Sequence, residues 1–123
     1  MEPNNFGEYL RFLRQTRSPA MTQEMLAKAI GRGKMTISQF EQGKNSPPKG
    51  ELLAKIVSAL NLTCEEEINL LFLSAKTRRD IPSDIEEYFF SNPAIYAAIR
   101  ADMKSEHKID WAAVAENVRN QYD

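Results

Sequence analysis

The sequence predicts an all-α fold, on three observations. No stretch alternates apolar and polar residues with β-branched enrichment between turn signals, so strands find no support. Apolar residues recur instead at spacings of three and four along the chain. The stretches that carry this spacing are bracketed by residues that start or stop helices, such as Thr22, Thr63 and Asp110 before them and Gly31 and Gly43 after.

Phe6, Leu10 and Leu13 predict a first helix over 6–17, closed by Ser18-Pro19, because a residue before proline avoids the α region. Thr22 is a good N-cap for a second helix, in which Met25, Leu26, Ala29 and Ile30 form an apolar stripe. Gly31 follows as a left-handed C′ residue. A third helix covers 34–42, with Ile37 and Phe40 inward and Gly43 as its stop. Asn45-Ser46-Pro47-Pro48 is a loop. Residues 49–60 form a fourth helix through Leu52, Leu53, Ile56, Val57 and Leu60, and Asn61-Leu62 is a turn. Thr63 and Glu66 make a capping box for a fifth helix carrying Ile68, Leu71, Phe72 and Ala75.

Thr77 to Pro82 reads as a linker. After it, Ser83 caps a helix through Ile85, Tyr88 and Phe89. Asn92-Pro93 opens another, with proline at its first position, through Ile95, Ala98, Ile99 and Met103. Ser105 to Lys108 is a polar turn. Asp110 caps a last helix through Trp111, Val114, Ala115 and Val118. That makes about eight helices, with no internal repeat.

A chain of 123 residues suits one domain, 6–76, and a helical extension, 80–123. It is long enough to bury one real core. With 42% hydrophobic and 27% charged residues it is not of disordered composition. No apolar run approaches the ~18 residues that span a bilayer. Met1 to Asn5 has neither a basic n-region nor an apolar h-region, so no signal peptide is expected. Cys64 has no internal disulfide partner, and one cysteine with one histidine does not build a zinc site. A cytoplasmic location fits.

No nucleophile–base pattern, glycine-rich phosphate loop or HExxH occurs. The chain is therefore expected to be no enzyme and to need no cofactor or metal. His107 sits in a polar turn, and Glu65 to Glu67 beside Cys64 oppose thiolate formation, so neither is assigned chemistry. The three carboxylates suit a helix N-terminus.

The net charge of −1 is unevenly spread. Residues 1–60 hold nine Lys/Arg against five Asp/Glu, a net of +4. Residues 61–123 hold seven against twelve, a net of −5. Only the first half suits phosphates, and the acidic half is expected to face away from them.

The most informative stretch is Thr22 to Gly43, two short helices around a glycine turn. Small Ala27 lets the helices cross closely, and Gly31 reverses the chain. Ile30, Ile37 and Phe40 lock the pair onto neighbouring helices. The other face of the second helix is left for a major groove, which is ~12 Å wide and admits one helix. The residues Thr22-Gln23, Leu26-Ala27, Gly31, Ile37-Ser38, Phe40-Glu41, Gly43 and Pro47, at these spacings, resemble the Cro/C1-type (XRE-like) helix-turn-helix family of transcriptional regulators. The resemblance covers 6–62 and implies a five-helix lambda-repressor-like DNA-binding domain.

It also implies roles. Residues 34–42 would be the recognition helix, with Lys34, Met35, Ser38 and Gln39 facing bases and Thr36 at the edge. Lys34 suits guanine O6/N7, Gln39 adenine, and Met35 a thymine methyl. Gln23, at a helix N-terminus, would meet phosphate, and Lys44 and Asn45 would clamp the DNA backbone. Arg14 and Glu41 resemble the family's internal ion pair. The chain departs from the pattern at three places. The loop Ser18 to Met21 is slightly long, Gly33 stands where Ser or Thr usually caps, and Arg32 replaces an apolar residue. Arg32 is thereby an extra candidate for phosphate.

The extension carries Ile85, Tyr88, Phe89, Phe90, Ile95, Tyr96, Ile99, Trp111, Val114 and Val118, a stripe expected to be buried. It folds back or pairs with a second copy; a dimer matches the half-site logic of helix-turn-helix proteins. The leading expectation is a homodimeric repressor on double-stranded operator DNA. Two rivals are an antitoxin-type module that holds a toxin through residues 83–123, and a helical adaptor that has lost DNA.

Overall fold

α1 (Phe6–Gln15) starts where the Asn5 side chain accepts the Glu8 N–H at 2.8 Å. The remaining helices in the computed structural model, which describes residues 4–122, are α2 (Gln23–Ala29), α3 (Lys34–Gln42), α4 (Gly50–Leu60), α5 (Cys64–Arg78), α6 (Glu86–Ser91), α7 (Pro93–Lys104) and α8 (Trp111–Tyr122). No strand occurs among the described residues. The chain divides into two compact units, one ending at Glu87 and the other beginning at Tyr88.

The first unit is built on one core. Phe6, Leu10 and Leu13 of α1, Leu26 of α2, Ile37 of α3, Leu53, Ile56 and Leu60 of α4 and Leu70 of α5 are buried in it. Each such side chain contributes about 1.5–3 kcal/mol by leaving water. α1 packs on α3 and α5, and α2 packs on α3 and α4. Among the described residues, no buried side-chain nitrogen or oxygen lacks a hydrogen-bond partner.

Several elements differ from the sequence expectation. α1 stops at Gln15 instead of residue 17, with Thr16 as its C-cap, whose N–H and hydroxyl both donate to the Phe12 carbonyl, at 3.0 and 2.8 Å. Arg17 then leaves the helix line to reach Glu66, at 2.6 Å through Nη2, and the Leu60 carbonyl, at 3.4 Å. α4 begins one residue late, at Gly50, with Lys49 extended before it. In α5 the apolar stripe is not Ile68 and Phe72, which stay 59% and 57% exposed. The buried face is Leu70, Leu73, Ser74 and Ala75. Apolar residues occur all round α5, so spacing alone does not choose its inner face. A polar contact marks the face that is chosen. The Ser74 hydroxyl donates to the Pro48 carbonyl at 2.6 Å, and Arg78 Nη1 donates to the same oxygen at 2.7 Å.

Thr77 and Arg78, expected in the linker, are the last residues of α5, which closes on Arg79 in the left-handed region at φ 62°. Ser83 does not cap a helix; its hydroxyl accepts the Gly50 N–H at 3.4 Å, and α6 begins only at Glu86. The carboxylates Asp80, Asp84, Glu86 and Glu87 fall within the first unit.

In the second unit, polar bonds shape the corner between α7 and α8. The Asp102 carboxylate accepts the Ile109 N–H at 2.6 Å and the Trp111 indole N–H at 3.0 Å. These bonds, the Ile109 one foremost, hold its pKa below the usual aspartate value. Lys108 Nζ donates to the Asp102, Met103 and Ser105 carbonyls at 2.9, 2.7 and 2.6 Å, closing the end of α7. Asp110 accepts the Ala113 N–H at 3.1 Å and starts α8. Of the apolar stripe expected to be buried, Phe89 and Ile95 are half-buried and the rest is exposed. α6, α7 and α8 contain no buried residue, and Trp111, Val114, Val118 and Tyr122 line one exposed face of α8. Two twelve-residue helices and a turn are too small to enclose a core.

Candidate nucleic-acid interface

The α2–turn–α3 pair is set by backbone geometry. The Thr22 hydroxyl accepts the Met25 N–H at 3.0 Å and starts α2. Gly31 sits at φ +72°, where a side chain is strained even though nothing stands within 4 Å. That turn returns the Arg32 N–H to the Ala27 carbonyl at 2.9 Å. Ala27 is buried, and α2 packs on α3. Gly33 precedes α3 and supplies no side-chain cap.

α3 is held by one side and open on the other. Ile37 and Phe40 are buried, and Phe40 meets Phe6 edge-on with centroids 6.3 Å apart. Lys34 and Met35 are exposed, Met35 by 67%. Ser38 and Gln39 lie on the same open face, half-buried, with Thr36 also half-buried at its edge. Ser38 Oγ accepts from Gln42 Nε2 at 3.1 Å, which leaves the hydroxyl proton of Ser38 free to point outward. Gly43, at φ +73°, ends the helix and turns the Lys44 N–H back to the Gln39 carbonyl at 2.9 Å.

Behind this face lies a saturated ionic network. Arg14 Nε and Nη2 donate to the two Glu41 carboxylate oxygens at 2.8 and 2.9 Å. The two side chains are only 9% and 4% exposed. Arg14 Nη1 donates to the Met21 carbonyl at 2.9 Å, and Gln23 Nε2 donates to Glu41 Oε1 at 3.1 Å. Glu41 is therefore neutralised and turned inward, and its charge does not oppose an anion at the open face. Gln23 has one amide proton committed to Glu41, while its position as first residue of α2 keeps it at that helix's N-terminus.

The other cations are placed differently. Arg11, Arg32, Lys34 and Lys44 are exposed and form no ion pair among the described residues. Arg11, Gln23, Lys34, Ser38 and Gln42 border a broad cleft of about 750 Å³ between α1, the start of α2 and α3. Asn45, at the end of the α3 turn, directs its Nδ2 to Gln39 Oε1 at 2.7 Å.

Sequence reasoning passed over Arg11 and Gly7. Arg11 stands three residues before Arg14 on α1, a spacing that puts both on one helix face. Gly7 gives no such signal. A Cβ there would lie 2.5 Å from the Glu41 carbonyl oxygen and 2.6 Å from that of Phe40, so α1 touches the end of α3 only because residue 7 is glycine. No group of three His, Cys, Asp or Glu that could hold a metal occurs among the described residues. None of the described helices is long and apolar enough to cross a membrane.

No curated protein and no solved structure matches the chain. A family model, described as a helix-turn-helix domain, matches residues 5–71, which span α1 to the middle of α5. That is more than half of the chain and includes the whole α2–α3 pair, an arrangement used for DNA binding. The chain belongs to the helix-turn-helix domain family.

Proposed function

We propose that the chain is a sequence-specific transcriptional regulator of the Cro/C1 (XRE-like) kind, that its first five helices form a lambda-repressor-like domain, and that α3 enters the major groove of operator DNA. One observation carries this reading. The open face of α3 bears Lys34, Met35, Ser38 and Gln39, while Arg14 neutralises Glu41 behind it. Lys34 donates to guanine, Met35 touches a thymine methyl, Ser38 and Gln39 read base edges, and Thr36 packs at the groove's edge. Gln23, Arg32, Lys44 and Asn45 lie around that face as phosphate-side groups, and Arg11 joins them.

The protein acts as a cytoplasmic repressor, without catalysis or cofactor. It acts as a homodimer whose two α3 helices meet half-sites one turn, ~34 Å, apart. The exposed apolar faces of α7 and α8 favour a partner made of protein. They equally favour a second reading, an antitoxin-type regulator that covers the same faces with a toxin. The experiment that tests both is binding of the purified protein to DNA from its own promoter, across a salt series, with random duplex as competitor. Specific binding that weakens steeply with salt supports the regulator. Binding no tighter than to random DNA refutes it. A two-half-site footprint by the protein alone favours the homodimer over the toxin complex.

A further inference from the structure

Asn45 is gripped twice by a single residue of α3. Its backbone N–H points to the Gln39 carbonyl at 3.4 Å, and its side-chain Nδ2 donates to Gln39 Oε1 at 2.7 Å. The left-handed Gly43 makes this possible by folding the chain back over the last turn of α3. Gln39 in turn lies one turn after Met35, at a helical spacing of four, on the open side of α3.

A glutamine free to rotate presents donor and acceptor in either order and pairs bidentately with adenine, giving to N7 and accepting from N6. Gln39 is not free in this sense. Its carbonyl oxygen is turned toward Asn45, and its Nε2 has no partner among the described residues. What the residue offers outward is a pair of N–H donors. The base edge with two acceptors in the major groove is guanine, through O6 and N7.

We propose that Asn45 is a positioning residue for base reading: it sets the orientation of the Gln39 amide and thereby makes Gln39 select guanine over adenine. This rests on the reading of α3 as the DNA-recognition helix. It gives Asn45 a role in specificity rather than in holding phosphate alone.

The test is selection from a random duplex pool by the full chain and three variants, Q39A, N45A and N45D. The base position that loses its preference in Q39A is the one Gln39 reads. At that position the wild type is expected to favour guanine over adenine about tenfold. N45A frees the amide and brings guanine and adenine within about twofold of each other. N45D accepts from Nε2 instead of donating to Oε1, so it turns the oxygen outward and shifts preference toward the donor-bearing bases, adenine or cytosine. A wild-type preference for adenine there overturns the proposal. So does an N45A protein that binds every sequence more weakly with its base preference unchanged, since that is the outcome of a purely structural or phosphate role. Enriched sites whose preferences ignore Asn45 overturn this inference alone. No enriched site with the wild type overturns the DNA reading and the inference with it.

Discussion

Gly7→Ala is the substitution in which local and tertiary rules disagree most sharply. Taken as a helix residue alone, alanine is favoured over glycine by up to about 1 kcal/mol. In the folded chain the new methyl carbon would stand 2.5 Å from the Glu41 carbonyl oxygen, 2.6 Å from that of Phe40 and 2.9 Å from the Glu41 carbonyl carbon. All three are backbone atoms, so no side-chain rotation relieves the contact. α1 would have to retreat from α3 by roughly half an ångström, taking Phe6 from Phe40 and Arg14 from Glu41, in a core whose density leaves little slack. Overpacking of this kind costs about 1–3 kcal/mol, at the upper end when backbone must move. The net expectation is a loss of about 2 kcal/mol. Urea unfolding followed by circular dichroism measures it, and with a slope of roughly 1–3 kcal/mol/M the midpoint falls by about 1 M. Gly33→Ser is the control. Its Cβ meets nothing within 4 Å, and serine is a slightly better N-cap, so it gains a few tenths of a kcal/mol. A Gly7→Ala protein as stable as wild type, with an unchanged slope, would refute the close packing of α1 on α3.

Other outcomes follow from the same geometry. Glu41→Ala leaves the buried Arg14 charge without a carboxylate, with only the Met21 carbonyl to receive it, and Gln23 without its acceptor, and is expected to lower stability by about 3–5 kcal/mol in the same urea assay. Hydrophobic replacement of both Arg14 and Glu41 should recover much of that loss. Glu66 has its pKa lowered from 4.5, chiefly by its hydrogen bond from Arg17 and also by its bond from the Thr63 N–H. Its stabilisation is thus present above the ordinary glutamate range and is lost as pH falls through the depressed folded value, while Arg17 stays charged throughout. Urea midpoints measured from pH 7 downward should therefore fall more steeply for wild type than for Glu66→Gln, and parallel curves would contradict the pair. Lys34→Ala should relax discrimination at one base pair by about 1–3 kcal/mol. Lys44→Ala should weaken all sequences alike and reduce the slope of log affinity against log salt by about one, measured by fluorescence anisotropy on a labelled duplex.

Helix starts and stops were legible in the sequence because they are local. The hydroxyls of Thr22 and Thr63 cap within three residues of themselves, and Gly31 and Gly43 take up positive φ where the chain reverses. Ile37 and Phe40 were readable as the inner side of α3 because its remaining residues are mostly polar, so one face stands out. Which face of α5 turns inward was not readable, since Ile68, Leu70, Leu71, Phe72 and Leu73 surround that helix with apolar surface. The answer lay with Pro48, whose carbonyl needs the Ser74 hydroxyl and the Arg78 guanidinium from far along the chain. Arg17 and Glu66, separated by 49 positions, are equally silent in the sequence, because a charge pattern does not say which distant elements become neighbours.

At the candidate site the division is the same. The sequence by itself determined the all-helical build, the α2–turn–α3 pair and the residue types presented by α3, through spacing, capping and the conformational freedom of two glycines. Only the tertiary structure decided that Gly7 is the contact between α1 and α3, that Gln23 shares Glu41 with Arg14, and that Asn45 holds the Gln39 amide. These depend on distances between groups six to thirty-four positions apart, and such distances exist only once the chain has folded back on itself.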